Sequence, residues 1–274
     1  MIYPIAHWRL LDTGQSYGAM NMAIDEAILR AVAKKLVPPT LRFYAWQPPC
    51  LSLGQAQSFD DVDWEACVAR GYHVVRRPTG GRAILHTDEL TYSVTAPESE
   101  PRLAGGIVAS YRRLSEGLLE GLHLLGVPGV EAHHPEVAEQ PANADSPNDP
   151  VCFQVPSTYE ITVGGKKLVG SAQVRREGIV LQHGTLPLVG DITRICDVLA
   201  AHPDPARVRA RATTVESVLG HVVSFKEAVG AVARGLASAL NLELVPGDLL
   251  PEERDWADAL QRERYAADEW NRRL

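Results

Sequence analysis

Residues 151–173 read VCFQVPSTYEITVGGKKLVGSAQ, with a cysteine near the start and a lysine pair after a double glycine. A thiolate is a strong nucleophile, and a free thiol titrates near about 8.5. A nearby ammonium favours the charged form. Cys152 with Lys167 therefore fits acyl transfer through a thioester, first onto sulfur and then onto an amine. A lone cysteine is also commonly a small buried hydrophobe, so these residues leave both readings of Cys152 open. Cys50, Cys67 and Cys196 fall in apolar periodic segments and read as inert thiols.

A second candidate is RRPTGGRAILH, residues 76–86. Glycines let backbone N–H groups approach a ligand, and arginines grip phosphate or carboxylate through paired hydrogen bonds. Arg76, Gly80, Gly81, Arg82 and His86 are its candidate substrate-binding residues, and a tight turn between solvated charges is the plainer alternative. A third is the pair of runs GSAQ and QHGT. Gly170, Ser171 and Ala172 are small enough for a substrate chain to lie against them. His183 fits either an acid–base group or a structural strand histidine.

The elements that must hold these groups are legible in part. MNMAIDEAILRAVAKK carries apolar residues at helical spacing, stopped by Pro38 and Pro39. LRFYAW, CLSLG and HVVRR read as strands, DVDWEACVARG as a helix closed by Gly71, and LTYSVTA as an alternating strand. Residues 107–126 form the longest helical pattern, despite internal glycines. Residues 128–150 are rich in Pro, Ala, Asn, Asp and Glu and read as a long loop. STYEITV, Gly164-Gly165 and KKLVGSAQVRR read as a hairpin, followed by a strand over GIVLQHGTLPL. Ser224-Phe225-Lys226-Glu227 is a capping-box sequence for a helix reaching Leu240. Strands separated by helices, with adjacent hairpins, predict a mixed α+β sheet rather than a doubly wound one. Residues 1–250 are expected to form one catalytic domain, with residues 251–274 as a charged helical tail.

Composition narrows the function. The chain has 274 residues, 45% of them hydrophobic and 22% charged, with a net charge of -7. That balance argues against nonspecific nucleic-acid binding, which needs a positive surface. No apolar run approaches the roughly 20 residues that cross a bilayer. The start MIYPIAHWRLLDTG lacks a basic region followed by an apolar core. A cytoplasmic protein with no membrane and no nucleic-acid partner is expected. The four cysteines show neither a CxxC pair nor zinc spacing, so no metal site is expected.

Taken together, NMAIDEAIL, RRPTGGRAILHTDELTYSV, GKKLVGSAQ and QHGTLPL resemble the lipoate–protein ligase and octanoyltransferase family, in the family's order across most of residues 8–190. RATTVESVLG is similar to a later family segment, more loosely. The resemblance implies a biotin/lipoate ligase-transferase (class II synthetase-like) catalytic domain, with a mixed sheet packed against helices. It implies attachment of octanoyl or lipoyl to a lysine of a lipoyl domain. The ATP-using ligases of the family resemble RRxTGGGAVxHD, whose third glycine helps the loop enclose an acyl-adenylate. Here Arg82 takes that place, and ELTYSV is closer to the transferase branch.

The cysteine-dependent transferases carry a cysteine before PSxYEI and a lysine in GKK, matched here by Cys152 and Lys167. The resemblance thus implies that Cys152 accepts octanoyl from the acyl carrier protein. A lysine of glycine cleavage H protein or another lipoyl domain would then attack the thioester. Lys167 would lower the thiol's pKa and hold the acyl carbonyl. No cofactor and no ATP are implied. Gly80-Gly81 is expected to wall the acyl pocket, lined by Leu, Val and Ala near 74–85 and 168–180. The family usually has His-Asp where this chain has His86-Thr87-Asp88, and Asp88 is the expected substitute. Neighbouring strand residues face opposite ways, so only one of Lys166 and Lys167 can enter the site.

Overall fold

The computed structural model describes residues 3–133 and 160–274; Cys152 and most of the expected 128–150 loop lie outside them. The strands are β1 (Ala6–Ser16), β2 (Thr40–Trp46), β3 (Cys50–Leu53), β4 (His73–Arg76), β5 (Ile84–His86), β6 (Glu89–Pro97), β7 (Val130–His133), β8 (Glu160–Val163), β9 (Lys166–Arg176), β10 (Ile179–Pro187) and β11 (Leu242–Pro246). The helices are α1 (Gly18–Ala33), α2 (Trp64–Ala69), α3 (Ile107–Leu124), α4 (Pro205–Arg211), α5 (Val215–Leu219), α6 (Phe225–Leu240), α7 (Pro251–Leu260) and α8 (Asp268–Asn271). Strand β7 occupies the start of the region read as loop. Strands β1, β5 and β11 carry no element in the sequence reading.

Eight strands form one sheet in the order β11-β1-β2-β6-β10-β9-β8-β7, and β4-β3-β5 form a small second sheet. Strand β1 runs parallel to both β11 and β2, while β2, β6, β10, β9, β8 and β7 pair antiparallel. The mixed sheet of the sequence reading is therefore present, and its α+β character holds.

Alternation along the strands sorts the two faces of the large sheet. Leu41, Phe43, Leu90, Tyr92, Val94 and Val180 face α3 and α6 in one apolar core. Tyr44, Trp46 and Leu181 face α1 and α7 in another. On β6 the second set is Glu89, Thr91 and Ser93, all buried and all polar. Buried polar groups need partners, and that polar stripe is where the site forms.

The glycines inside α3 have a packing reason. A Cβ on Gly121 would meet the Val232 backbone at 2.7 Å, and one on Gly235 would meet Gly121 N at 2.1 Å. Helices α3 and α6 approach at backbone distance there, which only glycine permits. Helix α6 starts at the expected capping box: Ser224 Oγ accepts from Glu227 N, and Glu227 Oε2 accepts from Ser224 N. In the β8–β9 hairpin, Gly164 and Gly165 take φ of 55° and 74°, the left-handed pair that a two-residue turn needs.

Residues after 250 are helical and pack on the main body. Arg9 grips Glu253 with two bonds of 2.8 and 2.6 Å, and Tyr265 Oη donates to Glu26 at 2.6 Å.

Candidate active site

Two histidines hold the polar stripe together. His86, on β5, places Nδ1 2.6 Å from Glu89 Oε1 and Nε2 2.8 Å from Ser52 Oγ. Its ring stacks on Trp46 at a centroid distance of 3.9 Å. Thr91 Oγ1 donates to the same Glu89 oxygen, and Trp46 Nε1 donates to Thr91. Burial pushes the Glu89 carboxyl up, but the His86 charge and its hydrogen bonds outweigh this, and Glu89 lies below the ordinary glutamate value. The ionised Glu89 accepts a hydrogen bond from His86 Nδ1–H, which orients the ring with Nε2 toward Ser52.

His183, on β10, repeats the arrangement. Nδ1 lies 3.3 Å from Asp25 Oδ2 and Nε2 lies 2.7 Å from Thr79 Oγ1. Asp25 projects from α1 and also accepts from Arg42, Tyr44 and Ser93 at 2.7, 3.0 and 2.8 Å. Burial raises the Asp25 carboxyl, yet Arg42 and then His183 bring it below its usual value. Burial lowers His183 despite Asp25. His183 is therefore neutral near pH 7.

Between the histidines lies a narrow cleft, lined by Met22, Trp46, Ile84, Gly170, Ala172 and both imidazoles among others. Gly170 and Ala172 stand one pleat apart on one face of β9. Their small size keeps the cleft open, as the sequence suggests. The surface it leaves open is mostly apolar, while Ser52, Arg77, Thr91, Thr185 and the two histidines bring polar groups to its lining, as suits an alkyl chain with a reactive end.

Lys167 is buried and pairs with Glu160 at 2.7 Å, while Lys166 is exposed. Only the second lysine turns inward. The reason is a bulge: Ile161 pairs with Val169 and Thr162 with Lys167, leaving Leu168 as an extra residue. Leu168 and Val169 both join the α3–α6 core. A bulge of this kind shifts the side-chain alternation by one residue, so Lys167 shares the opposite face with Gly170 and Ala172. The structure thus puts the buried ammonium on the strand face that lines the cleft.

Several expected residues fall elsewhere. Arg76 is buried but turned away: it donates to Asn271 O at 2.8 Å and Gly54 O at 2.9 Å, anchoring the C-terminal segment. Its neighbour Arg77 lines the cleft instead, bonding Ser52 O and Oγ at 3.0 and 3.1 Å. Neighbours on a strand face oppositely, and which of two arginines faces in depends on the sheet they join. Ser171 faces the α3 side, with Oγ 2.7 Å from Tyr92 Oη. Gly80 and Gly81 are exposed and Arg82 is half-buried, and none of them lines the cleft. Arg77 Nη2 instead fixes this loop through Gly80 O and Arg82 O at 2.8 and 2.7 Å. Gly54 lets it dock, since a Cβ there would lie 1.9 Å from Gly81 O. Asp88 binds Arg194 at 2.6 Å, and Glu89 takes the place beside His86.

The sequence reading missed Asp25, Arg42, Ser52, Arg77 and Glu89. Two left a signal. Asp25 sits on the apolar stripe of α1, three residues after Met22, and Glu89 continues the polar alternation of Thr91 and Ser93. The thiols of Cys50, Cys67 and Cys196 are buried. Burial pushes Cys50 far up and Cys67 to about 11, as expected for inert thiols. Among the described residues, no group of three His, Cys, Asp or Glu is placed to hold a metal ion, and no helix is long and apolar enough to cross a membrane.

Comparison with known proteins agrees with this geometry. The family model for the lipoyl protein ligase A/B catalytic domain matches residues 18–237. Octanoyltransferase LipM of Kyrpidia tusciae is 47% identical over 97% of this chain and 98% of its own. LipM of Bacillus subtilis is 38% identical over 96% and 97%. Among solved structures, lipoate-protein ligase A bound with ATP superposes with a TM-score of 0.80 at 26% identity, covering 97% of this chain and 99% of that one. A bi-partite lipoate protein ligase of Thermoplasma acidophilum, studied with its E2 lipoyl domain, gives 0.77 at 26%, covering 97% and 96%. The chain belongs to the lipoyl protein ligase A/B catalytic-domain family, on its octanoyltransferase side, and is an acyltransferase.

Proposed function

We propose that the chain transfers octanoyl from octanoyl-acyl carrier protein to the target lysine of a lipoyl domain, such as glycine cleavage H protein, through a thioester on Cys152. The observation that carries this reading is Lys167: a buried ammonium on the cleft-lining face of β9, balanced by Glu160. A cation placed so favours a thiolate beside it. The cleft takes the acyl chain, where each buried methylene contributes about 0.8 kcal/mol. Cys152 attacks the donor carbonyl and the carrier's thiol leaves. The acceptor lysine, as the free amine, then attacks the acyl carbon, and the Cys152 thiolate leaves. No ATP is needed, because the donor thioester is already activated.

The fold likeness to an ATP-bound ligase favours one rival, an ATP-dependent lipoate–protein ligase. Arg82 speaks against it, since it replaces the glycine best able to fold round an adenylate. Intact mass spectrometry after mixing with octanoyl-acyl carrier protein separates the two. The expected result is a gain of one octanoyl group, absent in Cys152→Ala. An unmodified wild type that labels a lipoyl domain only with ATP and free acid would overturn the thioester reading. An amidotransferase taking octanoyl from another lipoyl domain would give the adduct with that donor alone.

A further inference from the structure

Nearly every polar side chain on the cleft is already engaged. Ser52 holds His86 and Arg77, Thr91 holds Glu89 and Trp46, and Tyr44 holds Asp25. The two histidines hold Glu89 and Thr79, and Arg77 also binds Gly80 O and Arg82 O. Thr185 lines the same cleft and is 1% exposed. Its hydroxyl helps to hold the Glu89 carboxyl low, acting through space. Among the described residues, Thr185 Oγ1 meets no partner at hydrogen-bonding distance and angle. A buried hydroxyl in that state is uncommon and calls for a reason. The strand register says where it stands. Thr185 pairs with Gly170 across β10 and β9, and His183 pairs with Ala172. Along β9, Lys167 precedes Gly170 and Gly170 precedes Ala172, all on one face. Thr185 is therefore at the Lys167 end of the cleft, and His183 lies farther in.

We propose that the Thr185 hydroxyl is a catalytic donor: it bonds the acyl carbonyl oxygen and stabilises the negative charge which that oxygen gains as a nucleophile adds. The proposal rests on the thioester reading above. An acyl chain in the cleft with its carbonyl turned toward Lys167 brings that oxygen to the Thr185 end. In each step the nucleophile's bond to the acyl carbon forms and the carbonyl π pair moves onto oxygen. The pair returns as the carbon–sulfur bond breaks, first to the carrier's sulfur and then to Cys152. In the second step the attacking amine gives up one proton to solvent, and the Cys152 thiolate leaves. Thr185 keeps its own proton throughout. A donor fixed in a buried site needs no reorientation when the charge appears, which is where such groups contribute most. Its bond tightens from ground state to transition state, so its loss falls on kcat more than on KM.

The test uses the full chain with octanoyl-acyl carrier protein and a lipoyl-domain acceptor. Thr185→Val keeps the side-chain shape and removes the hydroxyl, Thr185→Ala is a second hydroxyl-free variant should the first not fold, and Thr185→Ser keeps the hydroxyl. In Val and Ala, kcat is expected to fall about 100-fold or more, with the donor's KM within about threefold. Thr185→Ser should stay within about tenfold of the wild-type kcat. The second readout is the infrared carbonyl stretch of isotope-labelled octanoyl held on Cys152. A hydrogen bond lowers that frequency, so it should rise in Val and Ala and stay near the wild-type value in Ser. An unchanged kcat, an unchanged stretch, or the same loss of kcat in all three variants would overturn the proposal. If the wild type takes up no octanoyl on Cys152, the thioester reading fails. Thr185 is then judged on the kcat of the transfer that the wild type does perform: a loss in Val that Ser restores supports its role, and equal rates overturn it.

Discussion

Glu89 Oε1 lies 2.6 Å from His86 Nδ1 inside the polar stripe of β6, while Asp88, one residue earlier, points out to Arg194. The carboxylate that serves His86 is thus set by strand alternation. Its ionised state orients the ring, and Trp46 holds the plane.

Glu89→Gln keeps the shape but removes the charge that fixes the proton on Nδ1. A loss of about 10- to 100-fold in kcat is expected, by analogy with the partners that orient metal-bound histidines. Asp88→Asn should change kcat less than twofold. Steady-state transfer assays on both variants check this, and equal effects would remove Glu89 from the role.

Lys167→Ala should slow iodoacetamide labelling of Cys152 near neutral pH, because the thiol loses its nearest expected cation. Lys166→Ala should leave labelling unchanged, since Lys166 is exposed. Labelling of Cys50 and Cys67 should stay negligible in the folded protein. An unchanged rate in Lys167→Ala would show that the thiolate is stabilised by something else.

The α3–α6 contact makes a stability prediction. Gly235→Ala puts a methyl group where Gly121 N and Gly117 O already lie at 2.1 and 2.5 Å. Overpacking of this kind costs about 1–3 kcal/mol, and backbone against backbone has little room to relax. A fall in Tm of roughly 2–4 °C per kcal/mol is expected by thermal unfolding. Gly230→Ala, on the same helix, would meet only Arg234 Nη1 at 3.5 Å and should keep or raise the Tm.

The His183–Asp25 pair gives a pH dependence. Burial lowers the folded His183 value, so below about 6.5 the unfolded chain binds more protons than the folded one. This contribution to stability is complete above that pH and is lost as pH falls toward the folded value. Asp25 and Glu89 are also depressed, so their contribution is present above about 4 and lost below it. Unfolding free energy should therefore decline as pH falls below about 6.5 and again below about 4. His183→Gln should flatten the first decline; a slope identical to wild type would show that His183 does not couple to folding.

Much of this protein is determined by local sequence. The helices α1, α3 and α6, the β8–β9 hairpin and the mixed sheet follow from periodicity, a capping box and a double glycine, all of which act over a few residues. Gly170, Ala172, His86 and His183 were named as candidates from the sequence, each beside a plainer structural alternative, and the structure brings all four to one cleft. The tertiary structure decided what depends on facing. It chose Arg77 over Arg76, Glu89 over Asp88 and Lys167 over Lys166, and it turned Ser171 to the far face. In each case adjacent residues offer the same or similar chemistry, and the choice is made by the pleat, which alternates every residue, or by a bulge that shifts it. Strands β1 and β11 escaped for a related reason. They lie at the sheet's other end, where register is set by Arg9, Glu253 and the C-terminal helices, and those partners are more than two hundred residues from β1 in the chain.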